Sequence, residues 1–195
     1  MVQGPMEPAL KSQLSQNLAV IDISINVANF LTTERKKRLK NEKRIIELKT
    51  TLERTFQKSV MCHLYPRTLI QVNVHVLALD GGLLAGITNS ITLALIDAGV
   101  AMYDYVAAVG AGLHNSAPLL DLNTLEENDM SSLTVGVIGK SEKLALLILE
   151  DRMPMDRWES VLAIGIAGGH RIRDLMDEEV RRHGNERLTK LSEKS

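Results

Sequence analysis

The chain carries a single cysteine, Cys62, among its 195 residues. No disulfide can form within it, and a lone thiol fits a reducing compartment. An isolated cysteine is most simply a small buried hydrophobe. Aromatic residues are scarce, at 3%, so Leu, Ile, Val, Ala and Met must fill the interior. No stretch reaches the ~18 consecutive apolar residues of a membrane span. Met1 to Pro8 is short, polar and proline-bearing, which does not read as a secretory signal. The net charge of −1 gives no global pull toward nucleic acid and leaves that role to a local patch. His63, His75, His114, His170 and His183 have no Cys or His partner at metal-ligand spacing. Ser90, Ser116 and Ser131 have no positioned base beside them. Gly165, Gly168 and Gly169 lack the strand-loop-helix context and following lysine of a nucleotide loop, and read as points of close packing.

What is present is 45% hydrophobic and 24% charged, enough for one domain with a sizeable core. Val2-Gln3-Gly4-Pro5 reads as a strand end entering a turn, so the chain is expected to begin inside a domain. Ile21, Ile23, Ile25 and Val27 alternate with polar residues, the period of a half-buried strand. Ile70, Val72, Val74 and Val76 repeat the pattern. Between them Ile45, Leu48, Leu52, Phe56 and Val60 recur at helical spacing, and Tyr65-Pro66 breaks the run. Asp80-Gly81-Gly82 is a tight turn into a helix of about 16 residues ending near Gly99. Strands are expected over Val106–Leu113, Leu133–Ile138 and Leu144–Leu149, with Glu142-Lys143 as a hairpin turn. Pro154 and an Asp156 N-cap open a long helix to about His183. Met153, Met155 and Met176 are expected as core or interface filler. Strands and helices alternate without repeats, so the expected class is α/β, one domain over residues 1–187 and a polar tail over 188–195 that frays.

Two features bear on chemistry. The string Leu119 to Met130 contains Asp121, then adjacent carboxylates Glu126 and Glu127, then the neutral amide Asn128. A loop that binds Mg²⁺ or moves protons wants ionisable oxygens at defined positions, and an amide neither carries the charge nor takes the proton. The second feature is the run Glu34 to Arg44, the one dense basic cluster. Lys43 and Arg44 stand at the start of the first helix, where positive charge opposes the macrodipole. Such residues suit sequence-independent contacts to a phosphate backbone, or simply a solvated basic face. The stretch Arg35–Lys40 reads as a solvated loop.

Several strings in order resemble the RNase PH family, and within it the ring subunits of the RNA exosome. They are Gly4-Pro5-Met6-Glu7-Pro8, Tyr65-Pro66-Arg67-Thr68, Asp80-Gly81-Gly82, Leu93-Ala94-Leu95-Ile96-Asp97-Ala98-Gly99, Asp121-Leu122-Asn123 with Glu126-Glu127, and Gly139-Lys140-Ser141. The resemblance implies a mixed-sheet, β-α-β-rich RNase PH-like domain of a ribosomal-protein-like superfamily. Full-length relatives carry an opening strand hairpin before the Gly-Pro segment; it is missing here, which implies a shortened start.

In active members phosphate attacks the terminal phosphodiester of RNA, and the anion sits on a Thr-Arg pair directly after the Asp-Gly-Gly turn. Those positions are Leu83 and Leu84 here. Active members follow Glu-Glu with Asp and carry another Asp six residues on; those positions are Asn128 and Thr134. The resemblance therefore implies no catalytic residue, no phosphate site, no metal and no cofactor. It implies RNA contacts at Lys43 and Arg44, and at Lys11 and Ser12 in a second channel-side loop. The expected role is a non-catalytic exosome core subunit, serving ring assembly and threading of single-stranded RNA for 3′-to-5′ rRNA processing and mRNA decay. The implied partners are other RNase PH-like ring subunits, S1/KH-type cap subunits and a separate hydrolytic nuclease, with no membrane. The implied location is nucleus, nucleolus and cytoplasm. The alternative is a phosphorolytic 3′-to-5′ exoribonuclease using Mg²⁺, with Asp121, Glu127 or Asp129 taking over.

Overall fold

The structure is a computed structural model that describes residues 1–7, 16–30, 43–115, 117–141 and 143–192. Among the described residues, two sheets and four α-helices follow in the order β1 (Val2–Met6), β2 (Val20–Val27), α1 (Lys43–Ser59), β3 (Leu69–Val76), α2 (Leu83–Asp97), β4 (Val106–His114), β5 (Ala117–Leu120), α3 (Thr124–Asp129), β6 (Ser131–Ile138), β7 (Leu144–Leu149) and α4 (Met155–Ser192), with a single 3-10 turn at Cys62–Leu64.

The first sheet is mixed, in the order β1-β3-β2. β2 and β3 run parallel in unbroken register from Val20 opposite Leu69 to Val27 opposite Val76. Helix α1 makes the crossover that parallel strands require. It also lies along the free edge of β2. Glu53 Oε1 accepts the Ile23 N–H at 3.2 Å, Gln57 Nε2 donates to the Ala19 carbonyl at 2.8 Å, and Lys49 Nζ reaches Asp22 Oδ1 at 2.6 Å. An exposed strand edge is a template for unwanted pairing, and these side chains occupy it. The Asp22 contact holds the Lys49 ammonium above its ordinary pKa.

The second sheet is wholly antiparallel, in the order β5-β4-β6-β7. β5 pairs only with Ala111 to His114, which leaves the earlier part of β4 without a strand on that side. Helix α2 supplies the missing partners. Asn89 Nδ2 donates to the Ala108 carbonyl at 2.8 Å and its Oδ1 accepts the Ala108 N–H at 2.7 Å. Thr92 Oγ1 donates to the Val106 carbonyl at 2.7 Å. Buried backbone groups need such partners.

The interior has two parts. One lies under the first sheet, α1 and α2, with Ile23, Leu52, Phe56, Ile70 and Leu95 fully buried. The other lies between the second sheet and α4, around Leu133, Val135, Val137, Val161 and Met176. There α4 comes close to the sheet because it presents glycines. A Cβ on Gly165 or Gly169 would stand 2.9 Å from a Val135 or Val137 methyl, and one on Gly168 3.0 Å from Leu120. The close-packing expectation for these glycines therefore holds.

Some expectations need correcting. β5 and α3 were not foreseen. The last helix does not end near His183; it runs to Ser192, so residues 188–192 continue it rather than forming a frayed tail. Arg182 pairs with Glu179 and Glu186 one turn either side, at 2.6 and 2.7 Å, which supports the extension. Asp156 sits in the first turn of α4, not at its cap. Of the three methionines expected as core or interface filler, Met176 is core, Met153 packs against the core cluster, and Met155 is exposed on this chain. The Glu142-Lys143 turn lies partly outside the described residues.

Candidate nucleic-acid interface

The Asp80-Gly81-Gly82 turn delivers the chain into α2 through two positive-φ glycines, φ 85° at Gly81 and 59° at Gly82. Gly81 is compelled as well by space, because a Cβ there would collide with the Leu122 carbonyl. The acidic string lies directly against this turn, and it is a short helix rather than a loop. Asn123 caps it in a reciprocal box: Asn123 Oδ1 accepts the Glu126 N–H and Glu126 Oε2 accepts the Asn123 N–H, both at 2.9 Å. Glu127 reaches across, its Oε1 accepting the Gly82 N–H at 2.7 Å. Asp80 Oδ1 accepts the Thr124 N–H in return, at 3.3 Å.

The α2 entry turn and the acidic string therefore come together, but the side chains at the expected positions are committed or unsuited. Leu84 is only 6% exposed and belongs to the first core, with Leu83 packed against it. Asn128 Nδ2 donates to the Thr124 carbonyl at 2.8 Å. Thr134 lies in β6 opposite Ile148 of β7, so the two side chains share a sheet face. Asp129 is exposed. Because α3 is helical, one residue of shift from Asn128 turns the side chain by about 100°, not to the opposite face as extended backbone would require. Asp121 is exposed and held at φ 59°.

Glu126 spends one carboxylate oxygen on its own cap and Glu127 one on Gly82, while Asn128 and Thr134 bring no charge. Among the described residues, no group of three or more His, Cys, Asp or Glu side chains is placed to hold a metal. Ser90 and Ser131 hydroxyls donate to backbone carbonyls at Ile87 and Arg152. His63 stacks obliquely near Tyr103 and His114 meets Asn115. Cys62 is 4% exposed, and burial pushes its thiol pKa up, as an inert core cysteine requires.

Of the basic candidates, Lys43 and Arg44 are described, and they lie near Leu84 in the first turn of α2. Lys43 and Arg44 open α1, both exposed, with no acidic residue in the first turn. They line a groove of about 570 Å³ with Glu47, Leu48, Thr51, Leu84, Ile148 and Glu150. The groove thus joins the basic helix start to Leu84, the position where the resemblance expects a guanidinium. Glu47 was legible, one turn beyond Arg44. Ile148 and Glu150 were not, because nothing in the sequence tells that the end of β7 meets the start of α1. Lys11, Ser12 and Arg35–Lys40 lie outside the described residues.

Comparison with known proteins gives the family. Residues 1–101 match the family model for the 3′ exoribonuclease family, domain 1, and residues 104–168 match domain 2. The chain is 53% identical to the exosome complex component SKI6 of Saccharomyces cerevisiae, over 98% of this chain and 78% of that protein. It is 33% identical to the exosome complex component RRP41 of Homo sapiens, over 95% of this chain and 76% of that one. Among solved structures, rice Rrp46 superimposes with a TM-score of 0.78 at 26% identity, covering 92% of this chain and 81% of that chain. On fold, motif order and these matches, the chain belongs to the RNase PH, or 3′ exoribonuclease, family.

Proposed function

We propose that this chain is a ring subunit of the RNA exosome, of the SKI6/RRP41 kind, that holds and passes RNA without cleaving it. The observation that carries this is the groove itself: Lys43 and Arg44 on its rim and Leu84, 6% exposed, where a phosphate-binding arginine would be needed. The helix amides after Gly82 would still favour an anion. A buried leucine offers that anion no charged partner, so its desolvation goes uncompensated. The catalytic carboxylates are replaced by Asn128 and Thr134, and the retained pair Glu126-Glu127 is engaged on backbone amides.

Assembly is supported by apolar side chains left open on the outer strands. Leu119 and Leu120 on β5 and Leu147 and Leu149 on β7 are each between 37% and 42% exposed, on the two edges of the second sheet. Neighbouring ring subunits are the partners such edges suit. S1/KH-type cap subunits, a separate hydrolytic nuclease and single-stranded RNA complete the proposed set. The work of such an assembly is 3′-to-5′ trimming and decay of RNA in nucleus, nucleolus and cytoplasm.

The test is charge reversal at the rim. Lys43→Glu with Arg44→Glu is expected to weaken RNA binding by the assembled ring while assembly, read by size-exclusion chromatography, stays intact. Unchanged RNA affinity would remove the role assigned to these residues.

A further inference from the structure

Among the described residues, the groove lining holds two cations, Lys43 and Arg44, and two carboxylates, Glu47 and Glu150. Glu150 follows β7 directly, its N–H donating to the Ser132 carbonyl at 3.2 Å. Its carboxylate faces the opening of α1 from across the groove, with Oε2 3.9 Å from Arg44 Nη2. Both side chains remain more than half exposed, at 53% and 74%. A pair of this length and exposure holds weakly. It nonetheless leaves a carboxylate beside the guanidinium when no polyanion is present.

We propose that Glu150 is a displaceable counter-carboxylate: it occupies Arg44 in the empty groove, gives way to an RNA phosphate, and so moderates the grip on the strand. This rests on the RNA-holding role proposed above and names the residue that tunes it. An arriving phosphate cannot share the guanidinium face with Glu150 without like-charge repulsion, so each phosphate bound displaces a carboxylate. Of the uncharged lining, Leu84, Leu48 and Ile148 supply no hydrogen-bond donor and Thr51 a single hydroxyl. Nor does the groove lining contain an aromatic ring on which a base could stack. The outcome is a contact strong enough to guide a backbone and weak enough to release it, which a conduit for moving RNA needs.

The test uses the assembled ring and a fluorescent single-stranded RNA, with affinities measured by anisotropy at one fixed salt concentration. Glu150→Gln is expected to tighten binding by roughly two- to fivefold, the range of an exposed ion pair. In an Arg44→Ala background the same substitution should change nothing, because no guanidinium remains to be freed. No tightening in Glu150→Gln would overturn the proposal. So would tightening that persists without Arg44, since that is a long-range charge effect and not displacement. Lys43→Glu with Arg44→Glu, run in parallel, separates the two levels. If charge reversal weakens binding but Glu150→Gln is silent, only the counter-carboxylate fails; if charge reversal is itself silent, the RNA-holding role fails with it. Melting curves for each ring exclude a folding defect, and Glu150→Ala provides a second route to the same loss of charge.

Discussion

The Glu127 carboxylate accepts the Gly82 backbone N–H at 2.7 Å, across a separation of 45 residues. A helix N-terminus leaves its first amides without intrahelical partners, and here the partner comes from a second helix. The contact ties the α2 entry turn to α3, so the retained Glu-Glu pair is explained as structure without invoking chemistry. Glu127→Ala is expected to lower stability by about 1–3 kcal/mol, the cost of leaving a partly buried donor unmade. Glu127→Gln keeps an acceptor oxygen and is expected to cost less. Denaturant melts of the two variants check the order, and equal losses would mean that the charge matters more than the hydrogen bond.

The two glycines of the same turn should respond differently. Gly81 and Gly82 both have positive φ, so alanine carries a backbone cost of roughly 1 kcal/mol at either. A Cβ at Gly82 meets nothing within 4 Å, whereas one at Gly81 collides with the Leu122 carbonyl and the Asn123 backbone. Gly82→Ala is therefore expected to be tolerated and Gly81→Ala to displace α3 from the turn. The comparison is read as the difference between the two melting temperatures.

Asn89 offers a third test. Its amide alone satisfies both backbone groups of Ala108 on the side of β4 that β5 does not reach. Asn89→Ala is expected to cost about 2–4 kcal/mol, two unmet buried groups. It should also raise hydrogen exchange at the Ala108 amide above that of Val135 on the neighbouring strand. Equal exchange at both would show that water or a shifted side chain replaces Asn89.

Cys62 gives a fourth. Its thiol is 4% exposed, donates weakly to the Gln57 carbonyl at 3.6 Å, and has its pKa pushed up by burial. The thiolate is the reactive form, so an alkylating reagent at neutral pH should label Cys62 only as the chain unfolds. Rapid labelling of the native complex would contradict its placement in the core.

The sequence made the first half of the fold legible because its signals are periodic. Ile21-Ile23-Ile25 and Ile70-Val72-Val74 alternate, and the helix between them carries a clear apolar face, so strand, helix and strand follow from local pattern; the parallel pairing of the two strands is seen only in the structure. α3 was hidden although its signature was present: Asn123 three residues before Glu126 is a capping box. Six residues with no buried side chain give no periodicity to draw attention to it. β5, at Ala117-Pro118-Leu119-Leu120, is a four-residue edge strand containing a proline and reads as loop. The end of α4 is hard to place from sequence because the polar segment after Gly184 carries no apolar stripe; in the structure Arg182–Glu186 and Arg187–Asp97 pairs engage the start of that segment. At the site, Leu84 and Thr134 stand out only against a family pattern, whereas Asn128 also shows by itself as a neutral amide after two adjacent carboxylates. That Leu84 and Arg44 share one groove required the tertiary fold, since 40 residues separate them and the α1 and β7 elements that close the groove meet only in three dimensions.

The most direct test of the account is phosphate-dependent release of nucleoside diphosphates from a 3′-labelled RNA, with this chain assembled with its ring partners and supplied with Mg²⁺ and inorganic phosphate. The account predicts no release above a buffer blank while the RNA stays bound. Release that requires phosphate and disappears on Asp129→Asn would contradict it, and would make this chain an enzyme working through a shifted carboxylate.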